Sequence, residues 1–171
     1  MSFKSIDIKD FNENIFKIIS EEWMLVTSGS KEKFNTMTAS WGFAGFMWRK
    51  PVVNIVIRPQ RYTREFLDSN EYFTLSFYGE NKSIHSVCGS KSGREVNKVK
   101  ECGLTPIFDN NSVYFDEARL VIVCKKMYVQ QMSEDCVIDE KDERIISALY
   151  ALPKKFKTVL YLYYVQEYKI N

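Results

Sequence analysis

At 171 residues the chain fits one domain, long enough to bury a core without disulfide or metal staples. Its 24 Lys+Arg nearly balance 22 Asp+Glu, which excludes the bulk positive charge of a nucleic-acid or anionic-membrane binder, and a single His with four Cys, none in a C-x-x-C pair, gives no zinc site. No apolar run approaches a membrane span and Met1 to Asp7 lacks a secretory apolar core, so the chain reads as soluble, unprocessed and cytoplasmic, with Cys88, Cys102, Cys124 and Cys136 as reduced thiols.

In chain order, Phe3 to Ile8 alternates weakly as a first strand. Asp10 is placed to cap a helix with Glu13 at its third position, and Phe11, Ile15, Ile18 and Ile19 then share one helical stripe. Trp23 to Ser28 has strand composition, Ser28 to Lys33 is polar turn material, and Phe34 to Trp41 returns as the second arm of a hairpin. In that arm Thr36, Thr38 and Ser40 project to one face and Asn35, Met37, Ala39 and Trp41 to the other, so neither face is plainly apolar. Such a strand is either an exposed edge or the lining of a site.

Gly42 to Arg49, with Phe43, Phe46, Met47 and Trp48, follows no clean period and reads as a loop carrying large apolar side chains, an interaction surface if exposed. Val52 to Arg58 puts Val53, Ile55 and Ile57 on one face of a strand that Pro59 ends. A short helix follows over Thr63 to Ser69, with Thr63 as N-cap and Glu65 in its first turn. Phe73, Leu75 and Phe77 alternate with Thr74, Ser76 and Tyr78 in a half-buried strand, and Asn81 to Val87 and Arg94 to Cys102 read as helices, the second stopped by Gly103. Ile107 to Phe108, Val113 to Phe115 and Ala118 to Gln130 are strands. Ser133 to Asp142 is acidic and solvated, Glu143 to Leu152 is a helix ended by Pro153, and Val159 to Tyr168 is a Tyr-rich last strand. Closely spaced antiparallel-compatible strands with short helices argue for a β-barrel with helical insertions, mainly β, and no G-x-G-x-x-G follows a strand as a Rossmann domain requires.

Two stretches gather chemistry. Arg58, Arg61 and Tyr62 lead into Thr63 at a helix start, the combination of guanidinium forks, hydroxyl and free N–H groups that suits an anion, although arginines at such turns also serve solubility alone. Ser90 and Ser92 precede Arg94 and Lys98, which stand four apart on one helical face and supply a second cation cluster, or else a solvated face shared with Glu95 and Glu101. His85 is either a general base or a structural histidine, and Tyr161, Tyr163 and Tyr164 pack a barrel or a dimer seam. No Ser-His-Asp, Cys-His or paired-carboxylate set stands out, so any redox or transfer chemistry falls to a cofactor.

Asn35-Thr36-Met37-Thr38-Ala39-Ser40-Trp41, then Arg58 to Thr63, then Cys88-Gly89-Ser90-Lys91-Ser92-Gly93-Arg94 with Lys98, together resemble the flavin reductase-like, flavoredoxin-type family of FMN-binding split-barrel proteins, from about Phe11 to Pro106. The resemblance implies an antiparallel, Greek-key split β-barrel that binds FMN non-covalently as a homodimer. By the same resemblance Asn35, Thr38, Ser40 and Trp41 line the flavin, Thr63 and Lys98 touch it, and Thr36, Met37, Ala39, Arg58, Arg61, Tyr62, Ser90, Ser92 and Arg94 complete the set. It further implies an oxidoreductase that draws on NADH or NADPH and passes electrons to a flavin or a redox partner, or alternatively a non-catalytic electron carrier or flavin store. Lys157 to Tyr164 departs from the family's last-strand pattern in having neither its His nor its Gly.

Overall fold

Period-2 patterning in five strands becomes one continuous buried face. The computed structural model describes residues 3–132 and the strand over 159–170. Its strands are β1 (Lys4–Ile6), β2 (Met24–Gly29), β3 (Phe34–Ala39), β4 (Gly42–Met47), β5 (Lys50–Ile57), β6 (Tyr72–Phe77), β7 (Pro106–Asp109), β8 (Ser112–Phe115), β9 (Leu120–Gln131) and β10 (Val159–Ile170). Between them lie α1 (Ile15–Lys17), α2 (Tyr62–Ser69), α3 (Lys82–Ser90) and α4 (Lys98–Cys102). The main sheet runs β3-β2-β6-β9-β10-β5-β4 with β1 also on β10, every pair antiparallel, while β7 and β8 form a separate hairpin.

Met24 and Val26, Met37 and Ala39, Val53, Ile55 and Ile57, Phe73, Leu75 and Phe77, and Leu120, Ile122 and Cys124 all turn to the same side and pack as the principal core. Leu25, Val121 and Val123 alternate to the opposite side and are covered by Ile84 and Cys88 of α3 and by Tyr114 and Phe115 of β8. β6 is therefore buried on both faces rather than half-buried, Thr74 and Ser76 included. The sheet is a split barrel: among the described residues its ends, β3 and β4, do not pair with each other and are linked through Ser40 and Trp41, where Val56 N–H donates to Trp41 O at 3.2 Å as a continuation of the β4–β5 ladder.

Several expectations are corrected. Asp10 caps nothing; Asp7 caps the 3₁₀ turn Ile8–Asp10 and Asn14 caps α1, because each carboxyl or amide oxygen sits where it accepts a first-turn N–H. Gly42 to Met47 is a strand, not a loop, paired to β5 through a two-residue turn at Trp48 and Arg49, both with positive φ of 49° and 60°. Its apolar residues obscured the period because Phe43 and Phe46 are both exposed. α2 starts at Tyr62, so Thr63 lies within the helix and the N-cap is Arg61, which contributes no side-chain cap. The expected helix over Arg94 to Cys102 shrinks to α4, since Asn97 caps Lys98–Cys102 by accepting from Lys100 N. Gly103 ends it in the left-handed conformation, φ 63°. The acidic stretch Ser133 to Asp142 and the helix expected over Glu143 to Leu152 lie outside the described residues. Among those described, no helix is long and apolar enough to cross a membrane.

Candidate functional site

β3 is an edge strand in the ladder, paired only to β2, yet it is not exposed as an edge reading of its sequence implies. Met37 and Ala39 enter the core, so that face is apolar over its second half, with the buried amide of Asn35 at its start. On the other face Thr36 Oγ1 meets Thr27 Oγ1 at 2.9 Å, and Thr38 Oγ1 donates to His85 O at 3.0 Å and lies 3.3 Å from His85 Nδ1. The shorter of the two contacts is the one to the carbonyl, so Thr38 is tied to both the backbone and the ring of His85. Burial, with Lys82 near, pushes His85 down to about 4, so the ring is neutral at ordinary pH and has the placement of a structural histidine.

At the start of β3, Asn35 Nδ2 donates to Thr63 Oγ1 at 2.8 Å, with both side chains buried. This bond locks the first turn of α2 to the strand. A Cβ on Gly93 would collide with Asn35 Oδ1, so glycine there lets the segment 91–97 close over Asn35.

Three cations converge next to this junction. Arg61 Nη1 donates to Gly89 O at 2.6 Å, and burial beside Arg58 lowers its pKa. Lys98 is 5% exposed, and its Nζ donates to Thr36 O and Cys88 O, both at 2.9 Å, with burial depressing its pKa. Among the described residues, Arg58, Arg61 and Lys98 have no carboxylate partner. Carbonyls satisfy hydrogen bonds but do not balance charge, and a third Lys98 N–H remains to be given.

A cleft of about 350 Å³ is lined by Asn35, Arg58, Arg61, Tyr62, Thr63 and Lys98, with Gly89 to Gly93 as its opposite wall. Through Met37, Arg58 and Arg61 it continues into a cavity of about 150 Å³ formed by Met37 to Trp41 and Val56. The two make one groove, cationic at the α2 end and bounded by the open edge of β3 and a 47%-exposed Trp41 at the other.

Of the sequence candidates, Asn35, Met37, Thr38, Ala39, Ser40, Trp41, Arg58, Arg61, Tyr62, Thr63, Ser90, Ser92 and Lys98 line this groove. Thr36 lines only the neighbouring cavity of about 590 Å³, its hydroxyl being turned to Thr27. Arg94 does not share a helical face with Lys98. It stands in the turn before α4, ion-paired to Glu65 and stacked 4.4 Å over Tyr62, and so is already neutralised. Ser90 Oγ donates back to Ser86 O at 2.6 Å, and Ser92 Oγ accepts from Arg94 N at 3.2 Å, so these serines shape the wall. The sequence reading missed Gln60, Lys91 and Val56 as lining and the Gly89 carbonyl as the anchor of Arg61.

Residues 16–139 match the family model described as the flavin reductase like domain, and the chain belongs to that family. No curated protein sequence matches it. The fold is shared with an FMN-binding domain of a flavin reductases-like enzyme from Shewanella baltica (TM-score 0.68, 16% identity, 99% of this chain and 77% of that one). It is shared also with flavoredoxin from Methanosarcina acetivorans (0.67, 16%, 97% and 76%) and with the styrene monooxygenase flavin reductase from Pseudomonas putida (0.59, 11%, 87% and 80%).

Proposed function

We propose that this protein binds FMN non-covalently and acts as an oxidoreductase, taking electrons from NADH or NADPH and passing them to a second flavin or a redox partner. The observation that carries the reading is the set Arg58, Arg61 and Lys98, unbalanced by any described carboxylate, at one end of a groove whose other end is an open strand edge beside Trp41. That donor set fits FMN, which joins a phosphate dianion to a flat ring with a polar edge. The guanidinium forks of Arg58 and Arg61 and the remaining Lys98 N–H meet the phosphate, and Asn35 and Thr63 hold the cleft floor. Backbone groups of Met37 to Trp41 serve the ring edge, and the indole of Trp41 covers it. FMN supplies the reversible uptake of hydride or electrons; the chain supplies position and a field that favours negative charge.

The protein is further proposed to be a homodimer, with the exposed end strand β4 and its turn as the seam, and cytoplasmic, in keeping with the free thiols of Cys88, Cys102 and Cys124.

The test separates phosphate from ring. FMN and riboflavin are titrated against the wild-type chain and Arg61→Ala, reading flavin fluorescence. One charge-assisted hydrogen bond contributes about 1.5–3 kcal/mol, so the variant should lose about ten- to a hundredfold in FMN affinity while riboflavin binding stays nearly unchanged. Equal losses for both flavins would place Arg61 away from a phosphate, and a chain that takes up neither flavin would end the reading. Repeated bleaching of the bound flavin by NADH or NADPH in the presence of free flavin marks an enzyme; a single reduction without turnover marks an electron carrier.

A further inference from the structure

Cys88 and Cys102 are fourteen residues apart in sequence and their Sγ atoms lie 3.7 Å from each other. They bracket residues 89–101, the segment that forms one wall of the cationic cleft and carries Lys98. Cys88 lies on α3, fully buried, and its carbonyl accepts from Lys98 Nζ. Cys102 is the partly exposed last residue of α4, its thiol 4.0 Å from Ile84 O. The next residue, Gly103, ends α4 in the left-handed conformation, φ 63°. An S–S bond is about 2.05 Å long, so from 3.7 Å the sulfurs need to approach by less than about two ångströms.

We propose that Cys88 and Cys102 form a reversible intramolecular disulfide, with hydrogen peroxide or an alkyl hydroperoxide as oxidant, that ties the two ends of the cleft wall together. The proposal stands on the thiol geometry and does not depend on the flavin reading.

The accessible thiol reacts first. The Cys102 thiolate attacks one peroxide oxygen; an S–O bond forms, the O–O bond breaks, and the departing hydroxide takes a proton to leave as water. Cys88, pushed up to about 12 by burial with Cys102 beside it, is a poor first nucleophile but is already in place as the second. Its sulfur attacks the sulfenic sulfur of Cys102, the S–S bond forms, the S–O bond breaks, and hydroxide leaves with the Cys88 proton as a second water. Two thiols lose two electrons and one hydrogen peroxide becomes two waters. The closed loop constrains the unfolded chain, so the oxidised form should also melt at higher temperature.

The experiment uses the full-length native protein exposed to hydrogen peroxide, quenched with an alkylating reagent and digested without reductant. Expected is a disulfide-linked peptide pair containing Cys88 and Cys102, a loss of two hydrogens in intact mass, and complete reversal by dithiothreitol. In Cys88→Ser, dimedone should label Cys102 as a trapped sulfenic acid. Two free thiols at 88 and 102 after peroxide treatment, a dominant crosslink through Cys124 or Cys136, or an 88–102 link that forms only in urea would each overturn the proposal. The wild-type peptide map needs no variant and is readable even if Cys88→Ser does not fold.

Discussion

At the scale of single residues, the site depends on buried polar groups whose partners are few. Asn35 is the clearest: its amide holds Thr63, and its oxygen lies where any Cβ on Gly93 would stand. Gly93→Ala should force the Asn35 side chain out of place and cost about 1–3 kcal/mol of stability, together with FMN affinity, as two buried groups lose their bond. Thermal melting and flavin titration of the variant check both. His85 gives a pH signature. Its folded pKa of about 4 lies below the ordinary value near 6.5, so the unfolded chain binds the proton more readily. The stabilisation is therefore complete above pH about 6.5 and is lost as pH falls toward 4, about 3 kcal/mol in all. Urea midpoints measured between pH 7 and pH 4 should fall more steeply for the wild type than for His85→Gln. Equal slopes would show that His85 takes up its proton as easily folded as unfolded.

At the scale of elements, the β4–β5 hairpin turns on two residues that are not built for it. A two-residue turn with both φ values positive favours Asn-Gly, and Trp48 and Arg49 stand there instead. Arg49→Gly removes one left-handed side chain and should raise stability by about 1 kcal/mol, read as a higher urea midpoint, while Trp48 keeps its edge-on contact with Tyr128 at 6.2 Å. This hairpin was also the element least legible in the sequence. Phe73, Leu75 and Phe77, or Val53, Ile55 and Ile57, announce a strand because burial sorts them, whereas Phe43 and Phe46 are apolar on an exposed strand and burial leaves them unsorted. The groove was legible at Arg58, Arg61 and Lys98 because cations near helix starts carry their own signal. The Asn35 bond to Thr63 joins residues 28 apart and the Lys98 bond to Thr36 O joins residues 62 apart, and no local pattern encodes such contacts. Arg94 misled because its spacing to Lys98 suits a helix that Asn97 caps too late to include it.

At the scale of the whole molecule, Phe43, Phe46 and Trp48, 54%, 74% and 58% exposed, give one flank of the sheet more apolar surface than scattered single residues do. Light scattering of the wild type at micromolar concentration should give a dimer, and Phe46→Asp should shift it to monomer without unfolding it. A wild-type monomer would remove the proposed seam. The order of the sheet has a further consequence, in time rather than in space. β10 is the last of the described strands in sequence, yet it sits between β9 and β5 and also carries β1, so both halves of the barrel wait for it. Until Val159–Ile170 has left the ribosome, β5 and β9 each present an unpaired apolar edge, open to a neighbouring nascent chain. Pairing of Lys4 with Ile170 spans almost the whole sequence, and contacts that long make folding slow. Synthesis rate and chaperone supply therefore join the strength of the finished core in setting how much of this protein a cell recovers in folded form.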